Sequence, residues 1–534
     1  MKIKKWLAIL LCAALLAGIG GVGAAAAGPQ RPDDVTYKLL DAADWVFKGV
    51  LKGLALLFPP VGIPCEMPGS VNFYEGVTPF ADMPAAPGET WRLGYAKADV
   101  TDGLEWDFIK KLFVTGAIDP FGKRTVTEIK DPPTARATAL SDGRGSTAVF
   151  VSLDAFGITS YDVGNIRAAL KEVAEENHII SINVSALHQH SVIDTLGMNG
   201  NILAGVFLNS FGQLTKLYPP FSGKNPKYME HLTRVVADTV KDAVEGMEDG
   251  TLSYGKVDVD AYITDKRAPY DCYDRYFHRL RFEPINPASP ETWLCNAAIH
   301  PTGLGTTDTK VSGDWPYFIG EALDGINFQF INGAELAMGY HTPFEYDGPG
   351  YERMREYGRQ LAEKLKGIDD EERLPALLNI AHKEYTLPVD NPLHLLFFRL
   401  GAIDSTGYKK DLAGLNLVLK TEIGYMELGG KVAVALVPGE LEPALAFDET
   451  GVGLPAAESY RREAFIFEPM CSMVGPGIEH FLVFGLTNDQ VGYMLLPNDI
   501  AHFVMFGNEE VNMSSTQVAR LTLAAFQALT ESVR

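Results

Sequence analysis

His178-Ile179-Ile180-Ser181-Ile182-Asn183-Val184-Ser185-Ala186-Leu187-His188-Gln189-His190-Ser191 is the stretch that organises the rest of the chain. Its first ten residues form an apolar run with repeated β-branched side chains, which reads as a strand buried on both faces. The run ends in a histidine pair. On one side lie another β run, Thr147–Leu153, and an amphipathic helix over 163–176. On the other side a long amphipathic helix spans Tyr228–Glu248, and short apolar strands follow at Lys431–Val437 and Phe481–Leu486. A helix over 514–532 closes the chain. Strands alternating with helices predict an α/β (mixed α+β) fold, with a layered sheet, flanking helices and a metal site at the C-terminal ends of strands.

The N-terminus has its own pattern. Lys2, Lys4 and Lys5 precede an apolar run from Trp6 to about Val22, and small residues occupy 23–28. Charged, apolar and small in that order is the layout of a secretory signal, assigned to residues 1–27. It predicts an exported protein: periplasmic, at the cell surface or secreted. Residues 28–90 read as a lead-in. They contain an amphipathic helix over 36–58 that Pro59 and Pro60 stop. This helix is expected to pack on the body of the protein, with a membrane-surface or substrate-entrance role as the sharper reading and peripheral membrane contact as its consequence. The body, 91–534, opens on the strand-like Trp91–Thr101.

Composition narrows the function. Hydrophobic residues make up 46% of the 534 and charged residues 21%, an ordinary globular balance. The net charge is −22, and loss of Lys2, Lys4 and Lys5 with the signal makes it −25. Such an acidic chain is not expected to bind nucleic acid, which needs phosphate neutralisation. Cys65, Cys272, Cys295 and Cys471 form no CxxC pair, so a thiolate zinc site is not expected. A bridge between Cys272 and Cys295 is one of three connectivities that four cysteines allow. The sequence leaves oligomeric state open.

The chemistry gathers past strand ends. In a strand, residues two apart share a face, so His188 and His190 are expected to face one centre, and neutral imidazole suits zinc. Leu294–Ile299 is a second apolar run ending in a histidine, His300, with Val311-Ser312-Gly313-Asp314-Trp315 beyond. Ala433–Val437 delivers Glu440 through Pro438-Gly439. Phe484-Gly485-Leu486-Thr487-Asn488-Asp489-Gln490-Val491-Gly492-Tyr493 supplies a tyrosine. Asp314 and Asn488 are candidates for orienting the ligands, with turn capping as the alternative. His341 is a candidate for reaching the site. No G-x-S-x-G element supports a serine hydrolase. Ile202–Phe211 and Pro392–Ala402 are apolar stretches that suit either core or the rim of an apolar substrate site.

Taken in order, Gly94–Thr101, Ser152–Asp154, Ser185–Ser191, His300–Asp314, Pro438–Glu440 and Gly485–Tyr493 resemble the catalytic domain of the neutral (non-lysosomal) ceramidases over roughly residues 91–500. The resemblance implies a zinc amidohydrolase, a linear-amide hydrolase that cleaves an N-acyl lipid bond by metal-activated water. The implied Zn2+ ligands are His188, His300, Glu440 and Tyr493. His188 is taken as the ligand of the histidine pair, with His190 beside the metal as an acid/base group. Tyr493 also has a catalytic reading, as an oxyanion donor. The implied partner is a lipid-like small molecule, and amide and ester bonds both stay open.

Three departures mark the chain. The family serine of a Gly-Asp-x-Ser-Pro element falls on Leu336, within Phe330-Ile331-Asn332-Gly333-Ala334-Glu335-Leu336. Val192-Ile193-Asp194 stands where Gly-Pro usually follows the histidine pair. Both changes are expected to line the substrate side. No immunoglobulin-like C-terminal domain is expected. The altered serine position motivates the alternative of a non-catalytic lipid- or ligand-binding surface protein that keeps the fold.

Overall fold

The computed structural model describes residues 32–56, 63–70, 79–84, 89–116, 122–200, 223–265, 272–399, 406–411, 414–505 and 508–534. The signal assigned to 1–27 and the stretch Ile202–Phe211 lie outside the described residues.

Two sheets form the centre. The larger has nine strands: β1 (Trp91–Asp99), β2 (Thr134–Ser141), β3 (Thr147–Leu153), β4 (Ile179–Ala186), β5 (Glu248–Asp258), β6 (Tyr276–Pro284), β7 (Thr292–Ala297), β8 (Asn327–Asn332) and β9 (Glu372–Leu374). Their order is β8-β7-β6-β5-β1-β2-β3-β4, with β9 on β5. The second sheet holds β10 (Leu378–Pro388), β11 (Gly407–Lys409), β12 (Leu417–Leu428) and β13 (Val432–Leu436). After a short strand β14 (Glu440–Leu441) comes its last member, β15 (His480–Phe484), and a short strand β16 (Tyr493–Met494) follows. The order is β10-β12-β13-β15, with β11 on β12. The β3–β4, β7–β8 and β13–β15 pairs are parallel, and the other pairs within these two sheets are antiparallel.

Period-2 alternation sorts the side chains into layers. Phe150, Leu280, Phe282, Leu294 and Ile331 of the large sheet share one core with Met426, Val432, Val434, Leu436 and Phe484 of the second. The two sheets therefore pack face to face. The intervening residues face outward onto helices. Ala135, Ala137, Ala139, Val149, Val151, Ile182 and Val184 pack on α2 (Ser160–Ala169) and α3 (Pro226–Glu245) once α1 (Asp34–Leu56) is numbered first. Trp293, Cys295, Phe328 and Phe330 pack on α4 (Asp314–Ala322) and α5 (Gly350–Lys366). On the far side, Ala433, Ala435, Leu419 and Tyr425 pack on α6 (Pro392–Arg399) and α7 (Val518–Val533). The result is helix, sheet, sheet, helix, which bears out the mixed α/β expectation. The strand interiors read as near-continuous apolar runs because both faces are covered. Small residues set the spacing under α3: a Cβ on Gly94 would stand 1.9 Å from the Ala243 carbonyl oxygen.

Three expectations change. The helix read over 163–176 divides at Leu170 into α2 and a short turn of helix, Lys171–Glu176. The 36–58 helix forms as α1, but its packed side carries Tyr37, Asp41, Asp44 and Lys48, and much of its apolar side is exposed. Cys272 and Cys295 are not bridged: Cys295 is buried in β7 beneath α4 and α5, while Cys272 precedes β6 and is half-buried. Among the described residues no helix is long and apolar enough to cross a membrane.

A buried ion pair joins the layers. Arg167 of α2 makes two bonds to Glu422 of β12, at 2.6 and 3.0 Å, and its Nε donates to the Ile182 carbonyl in β4. Asn488 Nδ2 also donates to Glu422, at 2.8 Å. Removing one partner of such a pair strands a buried charge. Glu422→Ala is therefore expected to lower stability by about 3–5 kcal/mol in urea unfolding, far beyond an exposed charge removal.

Candidate metal centre

The centre lies where both sheets end. β4 stops at Ala186, and His188 then takes a left-handed backbone conformation, φ 65°. Strand alternation therefore does not place the histidine pair, as the spacing suggested; a turn does. Non-glycine residues rarely adopt this conformation, and such strain gathers at functional sites. The His188 Nδ1 lies 2.7 Å from the Phe156 carbonyl oxygen, and its ring stacks on Phe156 at 4.3 Å between centroids. His300, past the end of β7, repeats the arrangement: its Nδ1 lies 2.7 Å from the Met338 carbonyl oxygen. A carbonyl only accepts, so both Nδ1 atoms carry the proton and each Nε2 is turned inward.

Both inward nitrogens meet Glu440. Its Oε2 is 3.2 Å from His300 Nε2 and 3.5 Å from His188 Nε2. Parallel pairing of β14 with β16 sets Glu440 directly opposite Tyr493, whose hydroxyl donates to the Glu440 carboxylate. Gln490 Nε2 donates to Glu440 Oε1 at 3.3 Å. Burial pushes the Glu440 carboxyl up, and the His188 imidazole beside it acts in the opposite direction. Burial, and then the Glu440 charge, push the Tyr493 phenol far up.

A second carboxylate joins them. Glu335, fully buried, has an oxygen 3.6 Å from His300 Nδ1 and is held by Asn332 Nδ2. His188, His300, Glu335 and Glu440 each place a ligand atom within 4.8 Å of the others. Two Nε2 lone pairs facing the Glu440 carboxylate are repulsive unless a proton or cation lies between them, while Glu335 stands nearest the proton-bearing Nδ1 of His300. This donor set, nitrogen and oxygen with no sulfur, suits zinc. His190 stands beside the cluster rather than in it: its ring centroid is 5.0 Å from that of His188 and 6.3 Å from that of His300. Asn332–Gly333 and Phe484–Leu486 cross very closely here. A Cβ on Gly485 would lie 2.3 Å from the Gly333 carbonyl oxygen.

Other candidates sit elsewhere. Asp314, the first residue of α4, accepts from the backbone of Leu304 and Trp315 and so ties the helix start to the loop before it. Asn488 accepts from Val184 N and donates to Asn183 and Glu422, away from the ligands. His341 is exposed, bonded to the Ala261 carbonyl. The two imidazoles are oriented instead by the Phe156 and Met338 carbonyls, and Glu440 by Gln490. Sequence reasoning missed Glu335, although it follows the β8 end as Glu440 follows β13. Leu336, at the family serine position, is buried in one apolar cluster with Tyr493. Val192 and Ile193 are buried, and Asp194 accepts from the backbone of Leu196, Gly197 and Asn199. A cleft has Glu440 and Tyr493 in its lining together with Phe156, Leu196, Met198, His394 and Phe398, and Val192 and Leu336 are not part of it.

Two solved structures share the fold: neutral ceramidase from Pseudomonas aeruginosa, at 15% identity and TM-score 0.61 over 83% of this chain and 75% of that one, and a ceramidase complexed with C2, with the same identity and score over 83% and 76%. No protein-family model matches the chain, and no curated protein does.

Burial pushes the Asp314 carboxyl up to about 6, from an ordinary value of 3.8, while its backbone donors act downward. The folded chain thus holds this proton more tightly than the unfolded chain. Stability contributed by the protonated carboxyl is lost as pH rises from about 4 through about 6. Asp314→Asn is expected to flatten that portion of the stability–pH curve, measured by urea midpoints against the unsubstituted protein.

Proposed function

We propose that the chain is an exported zinc-dependent hydrolase that cleaves the N-acyl amide, or a related ester, of a lipid-like substrate. The carrying observation is the convergence of ligand atoms of His188, His300, Glu335 and Glu440 within 4.8 Å of one another, with Glu440 also lining a largely apolar cleft. The ceramidase-like fold supports the same reading, and the pattern of residues 1–27 supports export. His188 Nε2, His300 Nε2 and Glu440 would hold the metal, with Tyr493 or Glu335 completing four ligands.

Bound there, zinc supplies Lewis acidity toward the scissile carbonyl and lowers the pKa of a water. The chain supplies the remainder. Phe156, Leu196 and Phe398 bind the acyl portion and exclude water. Tyr493 turns its one O–H from Glu440, whose carboxylate is engaged elsewhere once the site is filled, to the developing oxyanion. His190, outside the ligand set, gives a proton to the departing amine nitrogen. None of these steps uses a serine, so Leu336 does not remove the chemistry. Leu336 does favour a second reading, a lipid-binding protein that keeps the fold without turnover, because an apolar side chain packs beside Tyr493 where the family has a hydroxyl.

Metal analysis joined to hydrolysis of an N-acyl lipid amide separates these. One zinc per chain is expected, with activity lost to chelator and restored by zinc. His188→Ala is expected to lose the metal. Gln490→Ala is expected to weaken zinc affinity about 10–100-fold, as outer partners of ligands do. His190→Ala is expected to retain zinc and lose about 10²–10⁴-fold in kcat. Folded protein that binds lipid but no zinc, and cleaves nothing, establishes the second reading instead.

A further inference from the structure

We propose that α1 is a membrane-surface helix that seats the protein on a lipid bilayer beside the mouth of the substrate cleft. This rests on the lipid-hydrolase reading for the purpose of the helix, though not for its surface chemistry.

The observation is a second apolar side left exposed on a helix that already packs on the body. α1 is 23 residues long, about 35 Å of helix. The side turned to the body mixes the half-buried Leu40 and Phe47 with polar and aromatic contacts. Asp41 accepts from His502 Nε2 at 2.8 Å, Asp44 accepts from Val504 N at 3.2 Å, and Tyr37 meets the His502 ring edge-on. The opposite side is apolar and exposed: Val35 70%, Leu39 66%, Val46 54% and Val50 55%. At 3.6 residues per turn these four fall within an arc of about 60°. Ala42 and Ala43 border the arc, and both are exposed. No charged residue lies inside it. Globular helices place their apolar stripe inward, so this arrangement needs an apolar partner outside the chain.

Three features select a bilayer as that partner. First, Trp45, 78% exposed, lies with Lys38 and Lys52 along one edge of the apolar arc. An amphipathic ring and long cationic chains at the border of an apolar face are the interfacial pattern. Second, α1 packs directly on α6, whose His394 and Phe398 line the cleft leading to Glu440 and Tyr493. The helix is therefore seated on an element that walls the cleft, and a lipid-like substrate resides in a bilayer. Third, three aspartates and three lysines leave α1 neutral within a chain of net charge −22. Attraction to anionic lipid does not drive the contact. Insertion of the apolar arc does, so binding is insensitive to salt and needs no acidic headgroup.

The test uses the full chain and phosphatidylcholine vesicles carrying a lipid with a doxyl quencher near the headgroup. The signal of Trp45 is isolated by difference from Trp45→Phe. It is expected to shift to shorter wavelength and be quenched, equally at low and high salt. Leu39→Asp, Val46→Asp and Val50→Asp together are expected to weaken vesicle partitioning by at least about tenfold. The same triple variant is expected to keep cleavage of a water-soluble short-acyl amide and to lose cleavage of the vesicle-embedded lipid. Unquenched Trp45 overturns the proposal. So does a triple variant that partitions like the parent, or one that merely becomes a smaller oligomer in size-exclusion chromatography while the parent ignores vesicles. His188→Ala keeps the two readings apart: it is expected to bind vesicles as the parent does, and quenching of Trp45 stands even where no protein cleaves any amide.

Discussion

The face-to-face burial of two sheets is the constraint on which everything else in this chain rests. Neither sheet can leave its inner face in water, so Phe150, Leu280 and Ile331 interlock with Val434, Leu436 and Phe484 in a shared core. Once the sheets are stacked, their ends are stacked too. Backbone bonds then stitch the two ends together: Gly485 N donates to the Asn332 carbonyl at 2.9 Å, and Ala186 N donates to the Leu486 carbonyl at 3.1 Å. Asn296 of β7 donates to the Ile331 and Val483 carbonyls, one in each sheet. The loops that leave those ends have no freedom to diverge. His188 and His300 arrive from the large sheet, and Glu440 and Tyr493 arrive beside the second.

That convergence also explains the cost the site carries. Polar groups are gathered where water is excluded, and each needs a partner. The Phe156 and Met338 carbonyls take the outer nitrogens of the two imidazoles, while Gln490 and Tyr493 take Glu440. His188, Asp314, Leu486 and Asn488 all hold left-handed backbone conformations around the junction. The surrounding core keeps them there, which is how a stable scaffold maintains a strained, pre-arranged centre.

Different residues show how far local patterns reach. The strands Thr147–Leu153 and Lys431–Val437 were legible because burial on both faces leaves a continuous apolar run. The break of one helix at Leu170 was not, since local spacing carries through it. The histidine pair was legible as chemistry, yet the reason given by spacing was wrong: β4 has already ended before His188. Glu335 was hidden because its neighbours read as a damaged family element rather than as a strand end with a carboxylate. The direction of α1 was hidden for a related reason. Periodicity shows that a helix has two faces but not which one meets the protein, and here Asp41 and Asp44 meet it.

By itself, then, the sequence determined the strand and helix content, the acidic surface, and the residue types available at strand ends: two histidines, a glutamate and a tyrosine. These follow from side-chain periodicity and composition, which are local. Only the tertiary structure decided which of them meet. It joined His188, His300, Glu335 and Glu440, left His190 beside them, and assigned Asp314 and Asn488 to holding loops. The physical reason is that a ligand set is made by the stacking of two sheets whose strands lie far apart in the chain, and the long-range core that stacks them has no signature in any one stretch of residues.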